Sequence, residues 1–347
     1  MIAQAEVSPR VAVVIAAKDA RATIARAVRS ALAEPEAAEV VVVDDGSDDG
    51  TADVARSCDD GVGRLRVLRQ PNRGPAAARN TAIEGTISPY ICCLDADDFF
   101  QPGRLGHIFS AAGDSWDLAA DKLLLGQEGA EDGPYHRWRG EGLLPRTLDF
   151  AAFVEGNISR ARRPRAELGY LKPVMRRAFL DAHGLRFRED LWLGEDYFLY
   201  AEALACGARF RTVEHHGYVA ISRASSLSHD HPPERLEALL RADDALTARS
   251  LTPAERQAVR RHRNDTRRKW LYRRALAAKQ DGRLVRAAAI ALSKPDAAAY
   301  VLTETLRARW TRWRDGSPRF TADVAAGATR GGNRARAASV GNRRVDG

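Results

Sequence analysis

The sequence predicts an α/β fold: a doubly wound, Rossmann-like mixed sheet with helices on both faces, followed by a basic α-helical region. Short, β-branched apolar runs alternate with helical stripes through the first hundred residues, and acidic clusters fall at the ends of those runs. A third observation is the change of text after residue 230, where arginines are interleaved among alanines and leucines with no further strand pattern. Alternation of strand and helix at this spacing implies a mainly parallel sheet, because parallel neighbours need a crossover helix between them.

Val11-Ala12-Val13-Val14-Ile15 is too short for a helix and reads as a strand buried on both faces. Thr23 to Ala33 carries apolar residues at Ile24, Ala27, Val28, Ala31 and Leu32, the spacing of one helical face. Val40-Val41-Val42-Val43 is the second buried strand and ends in Asp44-Asp45-Gly46-Ser47-Asp48-Asp49-Gly50. A helix from Thr51, a strand Leu65–Leu68, a helix Pro75–Glu84 and a strand Tyr90–Leu94 complete the pattern. From about Ser110 to Gly169 the text is less regular, and loops with irregular strands that face substrate are expected there. Val174 to Leu180 reads as a strand running into a short helix, and Glu195 to Ala205 as a helix stopped at Cys206-Gly207. Pro232 to about Trp313 is helical, and the Gly-, Ala-, Arg- and Asn-rich tail reads as disordered. The expected division is 1–229 for the sheet domain, 230–316 for the helical region and 317–347 for the tail.

The net charge of +8 is the sum of two unlike parts. From His231 onward there are 26 Lys and Arg against 12 Asp and Glu, and the remainder holds 28 against 34, so +14 and −6. A basic region of this kind faces nucleic acid, an anionic membrane surface or an acidic partner, and composition does not choose among them. The four cysteines, Cys58, Cys92, Cys93 and Cys206, have neither metal-ligand spacing nor a secreted framework and are expected reduced and buried. No early basic segment precedes an apolar core, and no window reaches the roughly 18 uncharged apolar residues of a membrane span. A cytoplasmic chain is expected, at most peripheral on the inner face of the cytoplasmic membrane.

The chemistry concentrates in Leu94-Asp95-Ala96-Asp97-Asp98, directly after a buried strand. Burying an unpaired carboxylate costs several kcal/mol, so three at a strand end require a cation, a set of donors or open solvent. A hard divalent ion meets that need, since Mg²⁺ takes one or two carboxylates and fills the rest of its shell from water and phosphate. Ligands of open α/β sheets bind beyond the carboxyl ends of the strands, where Asp44, Asp45 and the Asp95–Asp98 run all lie. No Gly-x-Gly-x-x-Gly follows the first strand and no Gly-x-x-x-x-Gly-Lys-Ser/Thr occurs, so the ordinary dinucleotide and P-loop modes have no support.

Five motifs in order resemble the family 2 glycosyltransferases of the GT-A fold: Val11–Ile15; Val43-Asp44-Asp45-Gly46-Ser47 with Asp49-Gly50-Thr51; Asn72-Arg73-Gly74 with Ala78-Arg79-Asn80; Asp95-Ala96-Asp97-Asp98; and Gly194-Glu195-Asp196-Tyr197. The resemblance spans Val11 to His229, and the whole layout looks like bacterial exopolysaccharide glucosyltransferases of the succinoglycan type. It implies an inverting transfer, dependent on Mn²⁺ or Mg²⁺, from a nucleotide-diphosphate sugar, with a UDP-sugar as the expected donor, to a saccharide or lipid-linked oligosaccharide acceptor. By the same resemblance Asp45, with Asp44 beside it, would meet the nucleotide base, whose pocket the backbone at Ala16 and Ala17 would line. Arg79 would lie against the nucleotide or its phosphates. Asp95 and Asp97 would contact ribose and metal, with Asp97 the more direct ligand, and Asp196 would be the general base. His229, in the loop Arg223–His229 that would close over the diphosphate, is a candidate to complete the metal shell. The Pro and aromatic-Asn common after the first strand in that family are replaced here by Ala16, Lys18 and Asp19.

Two other functions stay open at this level. A nucleotidyltransferase also uses aspartates and a metal on a related sheet, but would carry a Gly-rich, Arg/Lys-bearing loop where this chain has Ala16-Ala17-Lys18-Asp19-Ala20. An inactive sheet domain bearing a basic nucleic-acid- or membrane-binding region is the other, although no nucleic-acid motif is present.

Overall fold

The computed structural model describes residues 10–129, 132–138, 146–158, 166–222, 231–293, 298–304, 306 and 310. The strand and helix pattern of the first hundred residues is present: β1 (Val11–Ala17), α1 (Ile24–Leu32), β2 (Ala37–Asp44), α2 (Thr51–Arg56), β3 (Leu65–Arg69), α3 (Pro75–Glu84) and β4 (Tyr90–Cys93). The five apolar positions predicted for α1 are the five that it buries. β1, β2, β3 and β4 pair in parallel, in the order β3-β2-β1-β4. The order therefore reverses between β1 and β4, which places a crevice at their carboxyl ends.

Beyond β4 the sheet turns mixed. β5 (Phe99–Phe100), α4 (Arg104–Ala112), β6 (Leu118–Gln127), β7 (His136–Arg137), β8 (Thr147–Leu148), α5 (Phe150–Gly156), β9 (Val174–Arg176) and α6 (Arg177–Ala182) follow, then α7 (Glu195–Ala205) and β10 (Phe210–Ser222). β9 lies antiparallel between β4 and β6, while β6 runs parallel to β10. The irregular middle expected between residues 110 and 169 is thus only partly irregular. β6 is a ten-residue strand in the interior of the sheet, disguised in the sequence because Asp121 and Lys122 interrupt its apolar run. Asp121 is tolerated there because Arg104 meets it at 2.7 Å, with both side chains fully buried.

The helical region is α8 (Pro233–Thr247), α9 (Pro253–Gln280) and α10 (Leu284–Ala291). α9 opens with Thr252 and Glu255 in a reciprocal capping box, and Pro253 occupies the first turn, where its missing N–H costs nothing. This region packs on the sheet domain through His262, whose ring stacks on Tyr197 at 4.5 Å while its Nδ1 lies 2.9 Å from the buried Asp243 carboxylate. Arg261 also reaches Glu155 of α5 at 2.5 Å. Cys58, Cys92 and Cys93 are buried and unpaired as expected, whereas Cys206 is half-buried at the end of α7. Among the described residues, no helix is long and apolar enough to cross a membrane. His229 and the tail from 317 onward lie outside the described residues.

Candidate functional site

The carboxyl ends of β1 and β2 bring four of the predicted residues together. Their register sets Ala16 against Val43 and Ala17 against Asp44, and the Asp45 N–H donates to the Ala17 carbonyl at 2.8 Å. Asp44 accepts from the Ser47 amide at 2.9 Å and lies 3.5 Å from Arg69 Nε. Asp45 is buried with both oxygens engaged: Oδ1 accepts from Gln70 Nε2 and the Arg73 amide, Oδ2 from the Gly74 amide, all within 2.9 Å. In this state its carboxylate shapes the loop from Gln70 to Gly74. Gly74 sits at φ +93°, and a Cβ there would meet the Trp192 ring at 3.2 Å, so glycine is required both by conformation and by the ring above it.

A chain of charges, its two cations buried, crosses the crevice. Arg79, on α3, donates from Nη1 to Glu195 Oε1 at 2.7 Å and from Nη2 to Asp95 Oδ1 at 2.8 Å. Lys172, just before β9, places Nζ 2.9 Å from Asp95 Oδ2 and 2.5 Å from Asp196 Oδ2. Two cations thus join Glu195, Asp95 and Asp196, although these acids come from α7 and from the loop after β4. Burial opposes the Lys172 charge, but Asp196 and Asp95 outweigh it and raise its pKa above the ordinary lysine value. Burial likewise works to neutralise Asp95, and Lys172 and Arg79 overcome it, holding that carboxyl well below the usual carboxylate range. Asp196 Oδ1 is different. It is buried and makes no hydrogen bond, and Arg79 Nη1 stands 3.7 Å away.

The remaining acids of the run divide by environment. Asp98, for which the sequence offers no role, is a brace: Tyr218 OH donates to its Oδ2 and the Ile221 amide to its Oδ1, both at 2.8 Å. Tyr218 OH in turn accepts from the Asp95 amide at 3.2 Å, so Asp98 and Tyr218 tie the acidic turn to β10. Burial, followed by the nearby Asp95 and Asp97 charges, pushes the Asp98 carboxyl well above its ordinary pKa. Asp97 is half-buried, and Arg26 fixes its backbone by donating to its carbonyl at 3.1 Å.

No group of three or more His, Cys, Asp or Glu side chains able to hold a metal converges among the described residues. The acidic turn does carry carboxylates of the kind a hard cation takes, Asp95 and Asp97, with Asp95 here giving one oxygen to Arg79 and the other to Lys172, and such ions complete their shell with water and phosphate oxygens.

Sequence reasoning did not find Lys172, which nonetheless carries a signal: it is a lone charge between Leu171 and Pro173 in a run that continues into the apolar Val174-Met175. Glu195 reads from sequence as a charge at a helix N-terminus, which it is, and the structure adds its bond to Arg79. Beneath the crevice, Arg104 donates to Asp121 and, through Nη2, to the Lys172 carbonyl at 2.6 Å. Gly217 makes room for this pair, since a Cβ there would come within 2.5 Å of the Arg104 side chain.

The family described as Glycosyl transferase family 2 matches residues 12–163. The chain is 50% identical over 311 residues to the succinoglycan biosynthesis protein ExoU of Rhizobium meliloti, covering 89% of this chain and 90% of that protein. It is 38% identical over 245 residues to succinoglycan biosynthesis protein ExoO of the same organism, covering 70% and 69%. Among solved structures, residues 1–349 of S. aureus TarS in complex with UDP-GlcNAc superpose with a TM-score of 0.57 at 17% identity, over 89% of this chain and 92% of that one. Mannosyltransferase PcManGT from Pyrobaculum calidifontis, in complex with GDP-Man and Mn²⁺, superposes with a TM-score of 0.54 at 18% identity, over 90% and 84%. These structural likenesses show a shared GT-A fold, and the sequence relatives go further: with half of its residues identical to ExoU over nine-tenths of both lengths, the chain belongs to the family 2 glycosyltransferases.

Proposed function

We propose that the protein transfers a sugar from a UDP-sugar to a hydroxyl of a lipid-linked saccharide during synthesis of a surface polysaccharide, with inversion at the anomeric carbon. The observation that carries this is the chain Glu195–Arg79–Asp95–Lys172–Asp196 at the switch point of the sheet, which sets the acidic turn after β4 beside a carboxylate that keeps one oxygen without a hydrogen bond. In this reading Ala16, Ala17, Asp44 and Asp45 line the base pocket, and Arg79 and Asp95 hold the nucleotide. The TarS complex with UDP-GlcNAc supports a UDP donor by analogy. Asp97, with Asp95, would hold Mn²⁺ or Mg²⁺, and His229 is the further candidate ligand. When bound, that ion supplies positive charge to the phosphate oxygens on which negative charge grows as the sugar leaves. Asp196 takes the proton of the attacking hydroxyl, on the face of the sugar opposite the departing diphosphate.

The test is a panel of nucleotide sugars scored by release of the nucleotide, with Mn²⁺ present or chelated. Turnover of one UDP-sugar that stops on chelation supports the reading, and turnover undiminished by chelation removes the metal from it.

The unit boundaries in this reading are 1–229 for catalysis, 230–316 for the basic helical region and 317–347 for a tail. An anionic membrane is the partner assigned to the helical region, which puts the enzyme at the inner face of the cytoplasmic membrane. Support comes from α10. Its outward residues Leu284, Val285, Ala288, Ala289 and Leu292 form an apolar stripe at helical spacing, with Val285 86% exposed, and Arg283 and Arg286 flank it in the open. An eight-residue helix is about 12 Å long, far too small a face for a stable dimer, which buries about 800 Å² per partner. Apolar insertion combined with basic attraction suits a bilayer interface, where each Lys or Arg adds about 1 kcal/mol. Binding to vesicles of phosphatidylglycerol, absent with phosphatidylcholine and lost in Leu284→Glu/Val285→Glu, supports this. Equal binding by that variant removes α10 from the membrane contact.

A further inference from the structure

Lys172 has no role in the reading above beyond linking two acids, yet its placement is built with more care than a link requires. Its side chain is only 5% exposed, its ammonium lies 2.5 Å from Asp196 Oδ2, and its own carbonyl is held by the fully buried Arg104. Pro173 follows it and fixes one side of the backbone. The two oxygens of Asp196 are consequently unlike: Oδ2 is occupied, and Oδ1 is buried without a hydrogen bond. A buried, unsatisfied carboxylate oxygen costs about 1–3 kcal/mol or more, and such an atom calls for an explanation, of which a catalytic role is one; the nearest cation, Arg79 Nη1, stands 3.7 Å away, beyond hydrogen-bond reach.

We propose that Lys172 is a positioning residue for transfer: by holding Oδ2 of Asp196 it presents Oδ1 as the single oxygen that receives the acceptor proton. This rests on Asp196 being the base. The step balances as follows. The acceptor O–H proton passes to Asp196 Oδ1, the freed oxygen pair forms the bond to the anomeric carbon, and the bond from that carbon to the phosphate oxygen breaks with its electrons leaving on the diphosphate. Lys172 touches neither sugar nor nucleotide in this step. Because the same ammonium also meets Asp95 Oδ2 at 2.9 Å, it holds the base and the acidic turn in one fixed relation. Orientation of this kind acts on the rate constant, since a displacement near 1 Å at the reacting atoms costs about a hundredfold.

The experiment compares Lys172→Met, Lys172→Arg and Asp196→Asn with the wild-type chain. Turnover is read as UDP release from the UDP-sugar that the donor panel shows to be the fastest, and affinity as UDP binding by calorimetry. Lys172→Met is expected to lose about a hundredfold in kcat with UDP affinity within about threefold of wild type, and Lys172→Arg, which keeps a charged donor, to recover part of that loss. A Lys172→Met enzyme with wild-type kcat overturns the proposal, and so does a parallel fall of kcat and UDP affinity, which marks a residue that merely supports the donor site. Should Lys172→Met fail to fold, Lys172→Arg decides alone: its altered reach lowers kcat about tenfold with UDP binding unchanged if orientation matters, and an unchanged kcat overturns the proposal. Asp196→Asn separates the two layers. If it turns over normally the base assignment itself falls, whereas its inactivity beside a fully active Lys172→Met removes Lys172 alone.

Discussion

The crevice of the sheet domain and the outer face of the helical region use charge in opposite ways. In and beneath the crevice cations are buried and shared: Arg79 and Lys172 serve three carboxylates, and Arg104 is closed around Asp121 with no exposure on either side. In the helical region arginines outnumber acids and many of their pairs are open to water, as in Arg263 with Asp244 and Arg241 with Glu237. Burying charges is costly, because desolvation cancels much of their attraction, so a shared set of them in a crevice points to groups that do chemistry or fix the groups that do. Surface charges are cheap to keep and set attraction to a partner rather than the fold. The contrast therefore separates the residues whose loss should stop the enzyme from those whose loss should only move it.

The sharpest break of that contrast is in activity. Asp196→Ala and Asp97→Ala should each abolish transfer, with a loss of at least about a hundredfold expected from removing a general base. Asp97→Ala should also weaken nucleotide binding in the presence of Mn²⁺ and leave it unchanged with chelator. Near-normal turnover by Asp196→Ala, measured as UDP release, would mean that the buried carboxylate is structural and that the base lies elsewhere.

The next effect is on stability. Removing one partner of a fully buried pair leaves the other uncompensated, so Arg104→Met should cost about 3–5 kcal/mol in urea unfolding. Arg104→Met with Asp121→Leu should recover part of it, since both charges are then gone. The first variant should also lower kcat, because Arg104 holds the Lys172 carbonyl.

How much of this was legible in the sequence depends on range. β1, β2, α1 and α3 were readable because their patterns are local: a run of valines in the strands, an apolar residue every third or fourth position in α1, and alanines following Pro75 in α3. The acidic turn was readable because its residues are adjacent, and its place at a strand end follows from the pattern of the sheet. The union of Asp95 with Asp196 was not, for it runs through Lys172, whose only mark in the sequence is an unexplained charge in an apolar run. β6 was missed because its burial of Asp121 depends on an arginine seventeen positions earlier. Asp45 shows the same limit from the other side: the sequence identifies the acid, and only the fold reveals the amides of Arg73 and Gly74 against it.

A smaller effect tests charge at intermediate burial. Glu39 accepts from the Ile87 and Ser88 amides and from the Ser88 hydroxyl. Burial alone would raise its pKa, but the Ser88 and Ile87 donors and Arg66 together lower it. A carboxyl with a depressed folded pKa contributes stability above its unfolded value of 4.5 and loses that contribution as the pH falls through the folded value. Glu39→Gln should accordingly cost about 1 kcal/mol at pH 7, and the gap to wild type should narrow only below pH 4.5. A gap that is constant from pH 7 to pH 3 would assign the effect to packing rather than charge.

The smallest effect belongs to the helical region. Arg263 meets Asp244 through two hydrogen bonds, at 2.6 and 3.0 Å. Distance alone would rank it beside Arg104 and Asp121. Exposure ranks it far below, because the Asp244 side chain is 58% exposed and water competes for both partners. A double-mutant cycle of Arg263→Ala and Asp244→Ala should return a coupling of about 0.2–1 kcal/mol, falling as salt is raised. A coupling above about 2 kcal/mol, unaffected by salt, would show that the outer face of the helical region relies on closed ion pairs too, and the division between buried crevice charges and open helical ones would fail where it is easiest to measure.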